Sequence, residues 1–158
     1  MKKPLIVILI VVLLDQILKF WVKLNMTIGE SFSVFGEWFQ IYFLENNGMA
    51  FGWELGAQWG KLALGIFRIA AVILLFFYMF HLTRKKTNFG PLFGISLITA
   101  GALGNIIDGI FYGKIFSEST FTNVATLFPD GGGYAGFMQG KVVDMFYFPL
   151  FTFPEWVP

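Results

Sequence analysis

The chain has 158 residues, of which 56% are hydrophobic, 20% aromatic and only 13% charged, with a formal net charge of +1. A soluble domain carries about 25% charged residues, so this composition and a mean hydropathy of +0.69 exclude a water-soluble fold. The lack of Cys excludes disulfides, thiolate metal sites and a cysteine nucleophile; the single His81 excludes a histidine metal cluster, and near-neutral charge gives no field for nucleic acid.

In chain order, residues 5–23 are the first of three apolar stretches long enough to cross a bilayer, which takes about 20 helical residues. Lys2 and Lys3 ahead of an apolar run imitate a signal peptide. No small-x-small cleavage pattern follows, however, and the run continues through Asp15 and Lys19 to Trp21, so it reads as a retained helix. A charge at the centre of a span costs roughly 2.5–3.5 kcal/mol, so each one needs a reason. Asp15 and Lys19 are one turn apart on one helix face, and read first as a self-compensating ion pair that ties this helix to a neighbour.

Residues 25–60 contain no Lys or Arg but carry Glu30, Glu37, Glu45 and Glu54. Within them Ser31–Phe35 and 38–44 are β-prone runs separated by Gly36-Glu37, which predicts a small hairpin on the membrane surface. Its aromatics (Phe32, Phe35, Trp38, Phe39, Tyr42, Phe43) suit the headgroup zone. Asn46-Asn47-Gly48 reads equally as an ordinary turn or as one dipping toward the membrane ahead of Met49-Ala50-Phe51.

The second span, 61–82, holds Arg68 in its outer part, where the stem can snorkel or the guanidinium can meet an acid on another helix. His81, near Arg84, reads as an interfacial residue at a helix end. The third span, 91–112, places Gly94, Gly101, Asn105, Asp108 and Tyr112 at helical spacing along one face. Ala100, Gly101 and Gly104 allow another backbone to approach, and Asn105 with Asp108 sets an amide and a carboxylate beyond that seam, as in a pocket.

Residues 114–141 read as a long loop with its strongest turn at Pro129-Asp130-Gly131-Gly132-Gly133; no strand-to-helix frame makes it a phosphate loop. Asp144 then stands alone within the apolar, β-prone run 141–148, where partial burial would raise its pKa as a general acid or base requires.

The basic residues Lys2, Lys3, Arg84, Lys85 and Lys86 predict a cytoplasmic N-terminus and a cytoplasmic 84–86 turn, leaving 25–60 and 113–158 extracytoplasmic. Three acids, Asp15, Asp108 and Asp144, can then converge at the outer leaflet. A hydrolase without Cys or a His cluster has to use carboxylates: two close ones share a proton, one acting as base on water and the other as acid. Spacing leaves open which two pair.

The run Asp15-Gln16-Ile17-Leu18-Lys19 resembles the D-x-x-[ST]-K of lipoprotein signal peptidases (signal peptidase II). Asn46-Asn47-Gly48-Met49-Ala50-Phe51 resembles their N-x-G-x-A-F, residues 101–108 their G-A-L-G-N-x-x-D, and Val142-Val143-Asp144 their V-V-D. All four occur in the family's order. Leu18 stands where the family has a hydroxyl residue, Glu45 and Gly109 where it commonly has Arg, and the stretch from Asp108 to Asp144 is longer.

The resemblance implies a membrane α-helical fold and one peptidase domain with a small extracytoplasmic β-hairpin or cradle, in a bacterial inner membrane. It implies an aspartic endopeptidase that cuts a prolipoprotein just before a diacylglyceryl-modified cysteine, without a cofactor or metal. It implies Asp144 as one catalytic Asp. Asn46, Gly48, Gly101 and Asn105 match residues shaping a pocket for substrate or a peptide inhibitor, and Asp15, Lys19 and Asp108 match supporting polar positions. The second catalytic Asp belongs to an F-N-x-A-D motif opening a fourth helix. No such motif occurs in these 158 residues, so that Asp is expected beyond Pro158. The chain then reads as cut short, with three of four helices, and is expected to be inactive by itself. The rival reading is a small transporter or channel subunit with Asp15, Lys19, Arg68 and Asp108 lining a polar path.

Overall fold

The computed structural model describes residues 1–46 and 59–149. Three long helices carry the fold: α1 (Lys2–Asn25), α2 (Trp59–Arg84) and α3 (Phe89–Ile107). At 1.5 Å per residue the 24 residues of α1 extend about 36 Å, enough to cross a hydrocarbon core of about 30 Å. Each helix is apolar enough for a span, α3 being counted through to Ile115. Much of their apolar surface faces outward, with Leu9, Phe67, Leu74 and Phe77 exposed, as lipid-facing residues must be.

α1 and α2 start and end at one common edge of the molecule: the Thr83 hydroxyl donates to the Met1 sulfur at 3.4 Å. Lys2, Lys3 and the 84–86 turn therefore share one end. Lys86 takes a left-handed conformation there (φ 54°), and the amides of Lys85, Lys86 and Thr87 return to the last carbonyls of α2. Between the helices Ile8, Met79, Leu92 and Ala100 form an apolar core. The hydroxyls of Ser96 and Thr99 inside it are satisfied by carbonyls of their own helix, both at 2.7 Å.

At the other end α3 widens into a π-helical turn (Asp108–Tyr112) and finishes as the one-turn helix α4 (Gly113–Ile115). An antiparallel sheet in the order β1 (Ser31–Phe35), β2 (Phe39–Asn46), β3 (Val142–Tyr147) caps this end. The hairpin expected from residues 31–44 is present, and β3 extends it from almost 100 residues away, pairing Glu45 with Val143 and Asn46 with Val142. A second core lies under the sheet, where Phe43, Val143 and Met145 meet Val22 of α1, Met26 just after it, and Tyr112 and Phe116 beyond α3.

The 114–141 segment, expected as a loop, is irregular but packed. Its amides bond back to the π-helical turn, to α4 and to the residue after it: Gly140 to the Gly109 carbonyl (2.9 Å), Ala135 to Gly113 (2.8 Å) and Tyr134 to Phe116 (3.0 Å). Such close approach is possible because Gly133 and Gly140 carry no Cβ; one added at either position would collide with backbone carbonyls.

Candidate active site

The polar residues of α1 and α3 meet just below the sheet. Lys19 is 3% exposed and Asp108 fully buried, and the Lys19 ammonium donates to Asp108 Oδ2 at 2.6 Å. Asp108 also accepts from Gln16 Nε2 (3.1 Å) and from the backbone N–H of Val143 (3.2 Å). Three donors thus converge on one buried carboxyl group. Lys19 donates further to Asn105 Oδ1 (3.1 Å) and lies 3.3 Å from Asp15. Asp15 and Lys19 do form the ion pair read from their spacing, but its second anchor on α3 is the shorter contact.

Gln16 is the hub that the motif reading passed over. Its amide donates to both Asp15 and Asp108, and its oxygen accepts from the Tyr112 hydroxyl at 3.1 Å. Its place between Asp15 and Lys19 was the available signal. Gly104 matters sterically, since a Cβ there would run into the Asp15 carboxylate.

Above this cluster lies a cavity of about 310 Å³, lined by Asp15, Lys19, Gly101, Asn105, Val143, Asp144, Met145 and Phe146. Gly101 leaves open space within it. Asp144, on β3, is solvent-accessible at its rim and accepts a hydrogen bond from the side-chain amide of Asn46 on β2. The two are diagonal neighbours on one sheet face, because Asn46 opposes Val142, two residues before Asp144. Surrounding protein raises the Asp144 pKa above the ordinary carboxylate value, while Lys19, the Asn46 amide and Arg68 pull it down. Arg68 also lines a smaller neighbouring cavity with Asn105 and Gly109.

Of the expected site residues, Asp15, Lys19, Asn46, Gly101, Asn105 and Asp144 gather at this cavity, while Asp108 supports it from beneath. Gly48 lies outside the described residues. So does Pro158, the position beyond which the second catalytic Asp is expected, and that expectation stands apart from the geometry of the cavity. Among the described residues no group of three or more His, Cys, Asp or Glu side chains is arranged to hold a metal ion.

Residues 7–157 match the family described as signal peptidase (SPase) II. A lipoprotein signal peptidase of Porphyromonas gingivalis is 52% identical over 157 residues, covering 98% of this chain and 66% of that protein. One from Amoebophilus asiaticus is 38% identical over 156 residues, covering 95% of this chain and 61% of its own length. The chain thus spans a little under two thirds of the length of these relatives. Two solved structures described as a bacterial membrane enzyme share the fold, each at 24% identity with a TM-score of 0.59, covering 95% of this chain and 72% and 76% of theirs. On the match across nearly its whole length, the chain belongs to the signal peptidase II family.

Proposed function

We propose that this protein removes signal peptides from lipoprotein precursors at the outer face of a bacterial inner membrane, as an aspartic endopeptidase. The observation that carries the reading is Asp144 at the rim of a cavity whose floor is a fixed polar cluster, at the end of the helices opposite the basic residues. By the positive-inside rule that basic end is cytoplasmic and the sheet is extracytoplasmic. A precursor anchored in the bilayer by its signal helix and its diacylglyceryl cysteine can present the bond to be cut at this depth. Gly101 leaves room for the chain, and Asn105 offers it an amide.

In this reading Asp144 and a second carboxyl share one proton. The ionised carboxyl takes a proton from water, which attacks the scissile carbonyl, and the protonated one donates to the leaving amine. Asp108 is a poor candidate for the second group, because Lys19, Gln16 and Val143 already occupy its oxygens. The family resemblance assigns the second Asp to an F-N-x-A-D motif that residues 1–158 do not contain, and so to a position beyond Pro158. Residues 1–158 by themselves are therefore proposed to be inactive. A peptide inhibitor filling the cavity would compete with substrate.

The transport reading has less support. Below the Lys19 cluster the described helices meet through Ile8, Met79, Leu92 and Ala100, and the nearby hydroxyls are turned onto their own helix. The test is cleavage by the protein, expressed from its complete reading frame, of a precursor with and without the diacylglyceryl group on its cysteine. The lipidated form alone should be cut just before that cysteine; equal cutting of both, or of neither, would contradict the reading.

A further inference from the structure

A second buried ion pair lies on the opposite face of the sheet from Asp144. Lys23, fully buried among the rings of Phe43, Phe116 and Tyr134, donates to Glu45 Oε1, which also accepts from Ser119 Oγ at 3.0 Å. The other Glu45 oxygen accepts no hydrogen bond and is held by the Lys141 ammonium at 3.5 Å. Two charges this deep are costly to bury, and buried ion pairs are often replaced by apolar residues at no loss of stability. Their placement offers a reason for them.

Lys19 and Lys23 are one turn apart on α1. Lys19 reaches Asp108, which holds the backbone N–H of Val143; Lys23 reaches Glu45, the residue opposite Val143 in the ladder. One helix thus braces both members of the pair that immediately precedes Asp144 on β3 and Asn46 on β2. The position next to Asn46 is also one where the sequence departs from the family's usual Arg.

We propose that Lys23 and Glu45, with Ser119 and Lys141, are positioning residues that hold the end of β2 so that the Asn46 amide stays on the Asp144 carboxyl. The packed 114–141 segment has a place in this arrangement, since it supplies Ser119. The inference rests on Asp144 being a reacting group. The charged and polar groups facing that carboxyl are Lys19 and Asp15 of α1, Asn46 of β2 and Arg68 of α2, with Asp108 beneath the strand. Of these, Asn46 alone is adjacent in sequence to the brace.

The experiment is a double-mutant cycle in the protein from its complete reading frame, reading kcat, KM and the acid limb of the pH profile. Glu45→Gln should lower kcat by roughly 10- to 100-fold, as small displacements of reacting groups do, with KM little changed and the acid limb moved to higher pH. Added to Asn46→Ala, it should produce little further change. Additive effects, or lower thermal stability with an unmoved acid limb, would overturn the proposal. Should Glu45→Gln not accumulate, Ser119→Ala keeps both charges and is read in the same cycle. Asp144→Asn is the control: if it still cleaves, the functional reading and this inference fall together, whereas an inert Asp144→Asn with an additive cycle removes this inference alone.

Discussion

The Lys19 ammonium and the Asp108 carboxylate, 2.6 Å apart and both buried, pin α1 to α3 directly beneath the strand that carries Asp144. Taking away one charge leaves the other buried without its partner. Lys19→Met should therefore lower stability by about 3–5 kcal/mol, and Lys19→Met with Asp108→Asn should recover a large part of the loss. Thermal unfolding in detergent compares the two; equal losses would show that the pair is not coupled.

Gly104 and Gly101 sit one turn apart on α3 but face different constraints. A Cβ at 104 would come within 3.1 Å of Asp15 Cγ and closer still to its Oδ2, so Gly104→Ala should push the Asp15 carboxylate off Lys19 and Gln16, at a cost of about 1 kcal/mol. At 101 a methyl meets open space. Gly101→Ala should leave the melting temperature nearly unchanged and instead raise KM, because it narrows the cavity. Similar stability losses for both would contradict the assignment of Gly101 to the cavity.

The pH dependence follows from Asp144. A carboxyl acting as base must be ionised, and burial holds this one above the ordinary value of about 3.9. Activity should therefore fall, as pH is lowered, earlier than an unperturbed Asp would allow. The Asn46 hydrogen bond favours the ionised form. Asn46→Ala should move the acid limb to higher pH, and a shift to lower pH or none would contradict the role given to that bond.

Sidedness is tested with single cysteines, since residues 1–158 contain none of their own. Lys85→Cys should be protected from an impermeant thiol reagent in intact cells, and Asp130→Cys, exposed in the packed 114–141 segment, should react. The reverse pattern would invert the topology.

The three spans and the 31–44 hairpin were legible because apolar run length and strand alternation are local signals. The third strand was visible only as a β-prone run. Its partner is β2, nearly 100 residues earlier, and no local pattern encodes that pairing. The packing of 114–141 was invisible for a related reason: it depends on Gly133 and Gly140 lying against particular backbone carbonyls of α4 and of the π-helical turn. Within the site, the four motifs marked Asp15, Lys19, Asn46, Asn105, Asp108 and Asp144, and the resemblance set Asp144 apart from the other acids, but spacing gave no physical ground for the difference. Asp108 is saturated and buried while Asp144 opens onto the cavity, a distinction set by the donors that folding brings to each.

The most direct test is Asp144→Asn in the protein expressed from its complete reading frame, beside the parent, with cleavage of a diacylglyceryl-modified precursor as the readout. An amide can neither take nor give the proton, so cleavage should be abolished while the protein remains in the membrane with its thermal stability essentially intact. Cleavage retained near the parent rate would contradict the account and move the chemistry to another acid.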